Sequence, residues 1–232
     1  MIATVCISGF CESERRNPLK LFLAKLTNGK PVEYYARHVK NLYIDNSFQD
    51  KGVNDILAIC TGVENLVLWG DADFFGNPQI GRNLHRLTIN LSRSLPFGSV
   101  PHFRHPCFAN LTHLHLTDEA EDWSTYPGWE TLSSLTHLAF ACSGSPETTM
   151  QLMQTLPTIQ YVALCHYSCD ESRKYTDAEV DNNPHFRARW GVRVVPLSWL
   201  PDHDWERGAR GQGDFWDLVE QEVARRLDEG SD

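Results

Sequence analysis

The sequence is short of positive charge: 21 Lys and Arg stand against 30 Asp and Glu, for a net charge of -9. A surface of that sign repels a phosphate backbone and an anionic lipid face, so neither nucleic acid nor a membrane is an expected partner. No stretch reaches the roughly 18 consecutive apolar residues of a membrane-spanning helix. The opening MIATVCISGFC is mildly apolar, but no Lys or Arg precedes it, and ESERR follows where a signal peptide needs small residues. It reads as a strand and its flank. The seven cysteines include no C-x-x-C pair; their odd number and irregular spacing fit reduced, mostly buried thiols, and hence cytoplasm or nucleus, better than a disulfide framework. Also missing are G-x-G-x-x-G, the phosphate-binding P-loop, H-E-x-x-H and G-x-S-x-G. No cofactor and no catalytic residue is therefore expected from motifs, and the chain reads as a non-enzyme.

What is present is an ordinary globular composition, 41% hydrophobic and 22% charged, in 232 residues. That length can bury one sizeable core or build an array by repetition. No interdomain linker stands out, so a single domain over 1–232 is expected.

The chain repeats itself. VKNLYI begins at Val39, VENLVL at Val63, LHRLTI at Leu84, LTHLHL at Leu111, LTHLAF at Leu135, IQYVALC at Ile159, and VRVVPL at Val192 is a plausible last member. Successive starts lie 24, 21, 27, 24, 24 and 33 residues apart. All but the last gap fall within the period of leucine-rich repeats. The template is apolar-x-x-apolar-x-apolar. On a short strand, positions four and six share one face while three, five and seven share the other. One unit cannot bury its apolar face alone, but stacked units share a core. The expected fold is α/β: a leucine-rich-repeat solenoid with a curved parallel sheet, an irregular convex side and a C-terminal capping helix. Strands are expected near 3–8, 39–45, 63–69, 84–90, 111–117, 135–141, 159–165 and 192–197.

Between strands, SPETTMQLMQTL offers Ser145 as an N-cap and Pro146 at the first helical position, with Met150, Met153 and Leu156 at helical spacing. NDILAIC reads as a shorter helix, and TDAEV shows a capping box between Thr176 and Glu179. SRSLPFGSVPHFRHPCF and DEAEDWSTYPGWE carry Pro, Gly and aromatics without helical period, and read as irregular loops. Near the start, NPLKLFLAKL groups Leu19, Leu21, Phe22 and Leu26 on one helical side. At the end, a helix over about 214–229 has Asp214 as N-cap and Phe215, Val219, Val223 and Leu227 nearly in line. It is expected to cap the open end of the stack, with Trp199, Trp205 and Trp216 sealing it.

YYARHVKNLYI, the LTHL strands and DWERGARGQGDFW together resemble the repeat region of a large basidiomycete family of F-box-like proteins. The resemblance spans residues 2 to 229, and DWERGARGQGDFW is its most specific element. It implies an intracellular recognition protein whose repeats choose a target for a ubiquitin ligase. In that family an F-box precedes the repeats and docks on the ligase adaptor. Met1 here stands directly before the first strand with no F-box-like opening, so docking on the ligase adaptor is not expected of this sequence.

Aligned by repeat, the outward positions give the candidate partner-binding residues: Tyr43, Asn65, Trp69, Arg86, His113, His115, His137 and Tyr161. Neighbouring strands lie about 4.8 Å apart, so His113 and His137 are expected side by side on an exposed concave face, with His115 on the same side. Three neutral imidazoles suit zinc, but no carboxylate or thiolate completes the set by spacing, and solvated polar residues need no ligand to explain them. Asp118, Cys142 and His166 fall at one strand end, with Cys169 close by. A thiol beside an imidazole suits nucleophilic catalysis, but here the cysteine, rather than the base, stands in the middle. The preferred reading is non-catalytic recognition of an unidentified protein partner. A structural or regulatory remnant without a ligase role, and a metal-dependent or cysteine hydrolase, are the alternatives.

Overall fold

Apolar side chains two residues apart, repeated along the chain, form the inner rows of parallel strands in the computed structural model. It describes residues 3–7, 18–46, 52–70, 74–75, 81–95, 102–118, 123–141, 146–167, 179–180, 191–199 and 201–229. The fold divides into two compact units, Met1–Thr112 with Tyr126–Ser134 and His113–Thr125 with Leu135–Asp232. Both are α/β.

The first unit holds β1 (Ala3–Ile7), α1 (Pro18–Asn28), α2 (Val32–His38), β2 (Val39–Asn46), α3 (Gly52–Ile59), β3 (Asn65–Gly70), β4 (Arg86–Ile89) and the single turn α4 (Leu91–Ser94). β1, β2, β3 and β4 pair in that order, all parallel. The register sets Leu42, Leu66 and Leu87 side by side, and likewise Ile44, Leu68 and Ile89. All six are at most 2% exposed. The repeat also has a backbone signature just before each strand. The position-two N–H of one repeat donates to the position-two carbonyl of the repeat before it: Glu64 to Lys40, His85 to Glu64 and Thr112 to His85, at 2.8–2.9 Å. Beside these rungs, the Asn83 and Asn110 side-chain amides donate to the Thr61 and Arg82 carbonyls. Gly62 is required where the turn after α3 meets α2, because a Cβ there would fall 1.7 Å from the Ala36 carbonyl oxygen.

The segments expected as irregular loops contribute to the core. In the first unit, Phe103 lies 3.9 Å from Trp129 and 5.2 Å from Phe108, ring centre to ring centre, and all three are buried. Pro106–Phe108 and Trp129–Thr131 are 3-10 turns. Leu21, expected on the buried side of its helix, is 55% exposed, whereas Leu26 is buried.

The second unit holds β5 (His113–Leu116), β6 (His137–Ala141), α5 (Pro146–Thr155), β7 (Tyr161–Tyr167), β8 (Glu179–Val180), β9 (Val194–Trp199), α6 (Pro201–Ala209) and α7 (Phe215–Glu229). β5, β6, β7 and β9 are parallel in that order, and β8 pairs antiparallel with β9. Leu114, Leu116, Leu138, Phe140, Val162 and Leu164 form the inner rows, at most 4% exposed. Trp123 tilts against Phe140 at 5.9 Å, and α5 lies against the turn that carries Trp123.

β3 to β7 begin two residues after the first apolar position of each repeat, because the leading Val or Leu packs from the preceding turn. The last repeat is framed one residue earlier than VRVVPL: Val194, not Val195, pairs with Val162. Residues 194–197 are all buried, so their polarity gave no clue to the face, and a one-residue slip exchanges every side chain between faces. Glu179 lies in a strand, not a helical first turn; Thr176 and Ser145 fall outside the described residues. Among the described side chains of α5, Thr149 and Leu152 are buried, with Leu156 just beyond, whereas Met150 is 41% exposed. On α7, Leu227 is 51% exposed and Arg226 takes the buried position instead.

Among the described residues no helix is long and apolar enough to cross a membrane. Of the described thiols, Cys60, Cys107 and Cys165 are buried and Cys6 is exposed. Burial pushes the Cys60 thiol up to about 12 and raises that of Cys107 as well.

Two outcomes test this packing. Leu138→Ala should lower unfolding free energy by about 2–5 kcal/mol in urea titrations, while Leu21→Ala should stay within about 0.5 kcal/mol of wild type. In peptide-mapped alkylation of the native chain, Cys6 should label well before Cys60 and Cys107, whose labelling should wait for unfolding.

Candidate functional site

Strand register alone joins the polar residues of the outer face. In the first unit the third positions form a hydrogen-bonded row. Asn65 donates through its side-chain amide to Asn41 Oδ1, and the Asn41 side-chain amide donates to the Thr4 hydroxyl. Arg86 is the next partner in register after Asn65. Asn65, Trp69 and Arg86 are half-buried, whereas Tyr43 is 2% exposed and belongs to the core rather than to an open surface.

In the second unit the third positions form an aromatic row. The His113 and His137 rings stack at 3.9 Å with an 11° tilt, and Tyr161 stacks on His137 at 4.6 Å. This row is not open to solvent as expected: His137 is buried, and His113 and Tyr161 are half-buried. α7 lies across it: Trp216 sets an edge against His113 at 5.3 Å and against His137 at 5.5 Å, and Phe215 meets His115 at 5.7 Å. The helix continues against β7 and β9. His137 is 7% exposed and His115 only 1%. Burial pushes the His115 imidazole down to about 3, so it is neutral at physiological pH.

The helix expected to cap an open end thus covers a sheet face. The sequence carried an unused sign of this: position five reads His115, Ala139, Ala163, and both alanines are 0% exposed. Small residues on the outer face leave room for a helix to approach.

DWERGARGQGDFW supplies the elbow that aims α7. Asp204 of α6 is 3% exposed and accepts from the Phe215 N–H at 2.9 Å. Asp214 accepts from the Trp216 N–H, and Asp217 accepts from the Asp214 N–H. Asp204 and Asp214 thereby satisfy the first two amides of α7, Asp217 satisfies that of the residue just before it, and all three carboxylates oppose the helix's positive dipole end. Gly208 permits the close approach, since a Cβ there would stand 2.7 Å from the Asp214 side chain. That stretch is, in this chain, the device that delivers Phe215 and Trp216 to the histidines.

Farther along α7, Glu222 accepts from both Arg225 and Arg226, and the Arg226 guanidinium also donates to the Val194 carbonyl of β9 at 2.8 Å. Hydrogen bonds from Arg225, then Arg226, hold the Glu222 carboxyl below its ordinary range against the opposing effect of burial.

The histidine pair acquires a carboxylate from the same helix. Glu220 lies one turn after Trp216, and its Oε1 is 3.0 Å from His137 Nε2. On the other side of that ring, Nδ1 is 2.8 Å from the Thr136 hydroxyl. Ligand-capable atoms of His113, His137 and Glu220 all lie within 4.8 Å of one another. Glu220 is 83 residues from His137, so no sequence spacing could pair them. Of the other candidate cluster, Asp118 is buried, the His166 side chain lies outside the described residues, and so do Cys142 and Cys169.

Compared with protein-family models, curated proteins and solved structures, the chain matches none.

Arg226→Ala should cost about 1–3 kcal/mol in a urea titration, because it removes the buried guanidinium that joins Glu222 to the Val194 carbonyl, while Arg225 still pairs with Glu222. Arg225→Ala, at an exposed position, should leave the urea midpoint near that of wild type.

Proposed function

We propose that this chain is a non-catalytic recognition module of the leucine-rich-repeat type, related in its repeat region to F-box-like substrate receptors. The observation that carries this reading is the position-two backbone rung, repeated from Lys40 to Glu64 to His85 to Thr112 and again from Thr136 to Gln160 at 2.8–2.9 Å. A rung that recurs at the sequence period is what a stacked repeat requires. It holds outward positions side by side whatever residues occupy them, which suits a surface that varies with its target.

The strand face of the first unit is the proposed contact surface. There Asn65, Trp69 and Arg86 retain partial exposure, while α7 covers the corresponding histidines of the second unit. Trp and Arg are the residue types that anchor protein interfaces, by apolar area and by forked hydrogen bonding respectively. A ligase connection is a further part of the proposal and stands or falls separately.

The test is recovery of the tagged chain from cells, with co-purifying proteins identified by mass spectrometry. A reproducible partner is expected whose retention falls at least about tenfold in the Trp69→Ala, Arg86→Ala double variant, with the thermal midpoint of that variant checked separately. Equal retention by the folded variant would overturn the choice of surface. Presence of a ligase adaptor among the recovered proteins would support a receptor role.

A further inference from the structure

We propose that His113, His137 and Glu220 form a binding site for a divalent transition-metal cation, with zinc the best chemical match. Two of the donors are fixed by strand pairing: His113 and His137 are register partners on β5 and β6, so their rings project side by side. The third comes from α7, whose Trp216 packs its edge against both rings and so determines where Glu220, one turn later, can reach. The three ligand atoms fall within 4.8 Å of one another. Zinc makes bonds of roughly 2.0–2.2 Å with imidazole nitrogen and carboxylate oxygen, and because the two rings stack with an 11° tilt, binding would turn the imidazoles about their Cβ–Cγ bonds so that both lone pairs meet at one ion.

The surroundings of His137 suit a ligand. Nδ1 faces the Thr136 hydroxyl and Nε2 faces the Glu220 carboxylate. When Nδ1 donates its proton to Thr136, Nε2 presents a lone pair toward an anion, and a cation between them converts that repulsion into two bonds. A hydrogen bond to the distal nitrogen is also the usual means by which a ligating imidazole is held in one tautomer. The Glu220 side chain is 47% exposed, while that of His137 is 9% exposed. The site is therefore walled by Trp216 and Tyr161 and open on the carboxylate side, where water can complete the coordination. Donors of two imidazoles and one carboxylate suit zinc better than calcium or magnesium, which take mainly oxygen. A bound ion would tie α7 to β5 and β6, adding to the packing of Phe215 and Trp216.

The full chain, stripped with chelator and dialysed, would be titrated with zinc alone by calorimetry, with the thermal midpoint followed in parallel. About one equivalent is expected, with a midpoint that rises with zinc concentration. Glu220→Gln, at an exposed position where folding should be unaffected, should weaken binding at least about tenfold, and His113→Asn should do the same. Cobalt in place of zinc should give a spectrum without sulfur-to-metal charge transfer, since no thiolate belongs to the site. Absence of stoichiometric binding, unchanged affinity in the folded Glu220→Gln protein, or a thiolate signature in the cobalt spectrum would each overturn the proposal.

Discussion

A parallel strand has no freedom over its neighbour's side chains. Once Leu114 lies beside Leu138 to close the inner row, His113 must lie beside His137 on the opposite face. The same holds in the first unit, where pairing Leu42 with Leu66 places Asn41 beside Asn65. The inner rows drive this arrangement, because removing leucine and isoleucine from water supplies most of the free energy. The outer rows inherit it. Polar side chains forced into contact then find interactions among themselves: an amide-to-amide hydrogen bond in one unit, stacked imidazoles in the other.

Covering the outer face changes what such a row can do. Where α7 lies on β5 and β6, histidines that would be solvated become partly or wholly desolvated, and His115 is driven neutral. The covering helix must bring its own polar solutions. Asp204, Asp214 and Asp217 satisfy its first turn, and the Glu222–Arg226 pair is completed by the Val194 carbonyl. A buried ion pair gains little unless its remaining donors are used, and this one uses the strand backbone to do so. The same helix supplies Glu220, so packing and chemistry at the histidine pair are not separable.

The repeat was legible because its period is short and its inner residues are aliphatic; six strands of the series follow directly from it. The frame of the last strand was not legible. Val194, Val195, Pro196 and Leu197 are all buried, and without an alternation of polar and apolar residues the choice of face rests on pairing with β7. Helix faces were legible only in part. On α7 the line from Phe215 through Val223 packs as its spacing predicts, but the next position is taken by Arg226 because a carbonyl and a carboxylate await it, leaving Leu227 exposed.

The candidate residues divide along the same line. Sequence by itself determined that His113 and His137 are neighbours, since repeat alignment and strand spacing require it. Whether they face solvent or a helix was decided only by the tertiary structure. Periodicity within a strand reports which residues share a face, but it carries no information about a segment arriving from 83 residues away. Burial of His115, the partnership of His137 with Glu220 and the place of DWERGARGQGDFW as an elbow all depend on where α7 comes to rest. Long-range packing sets that position, through side chains that touch only once the chain has folded.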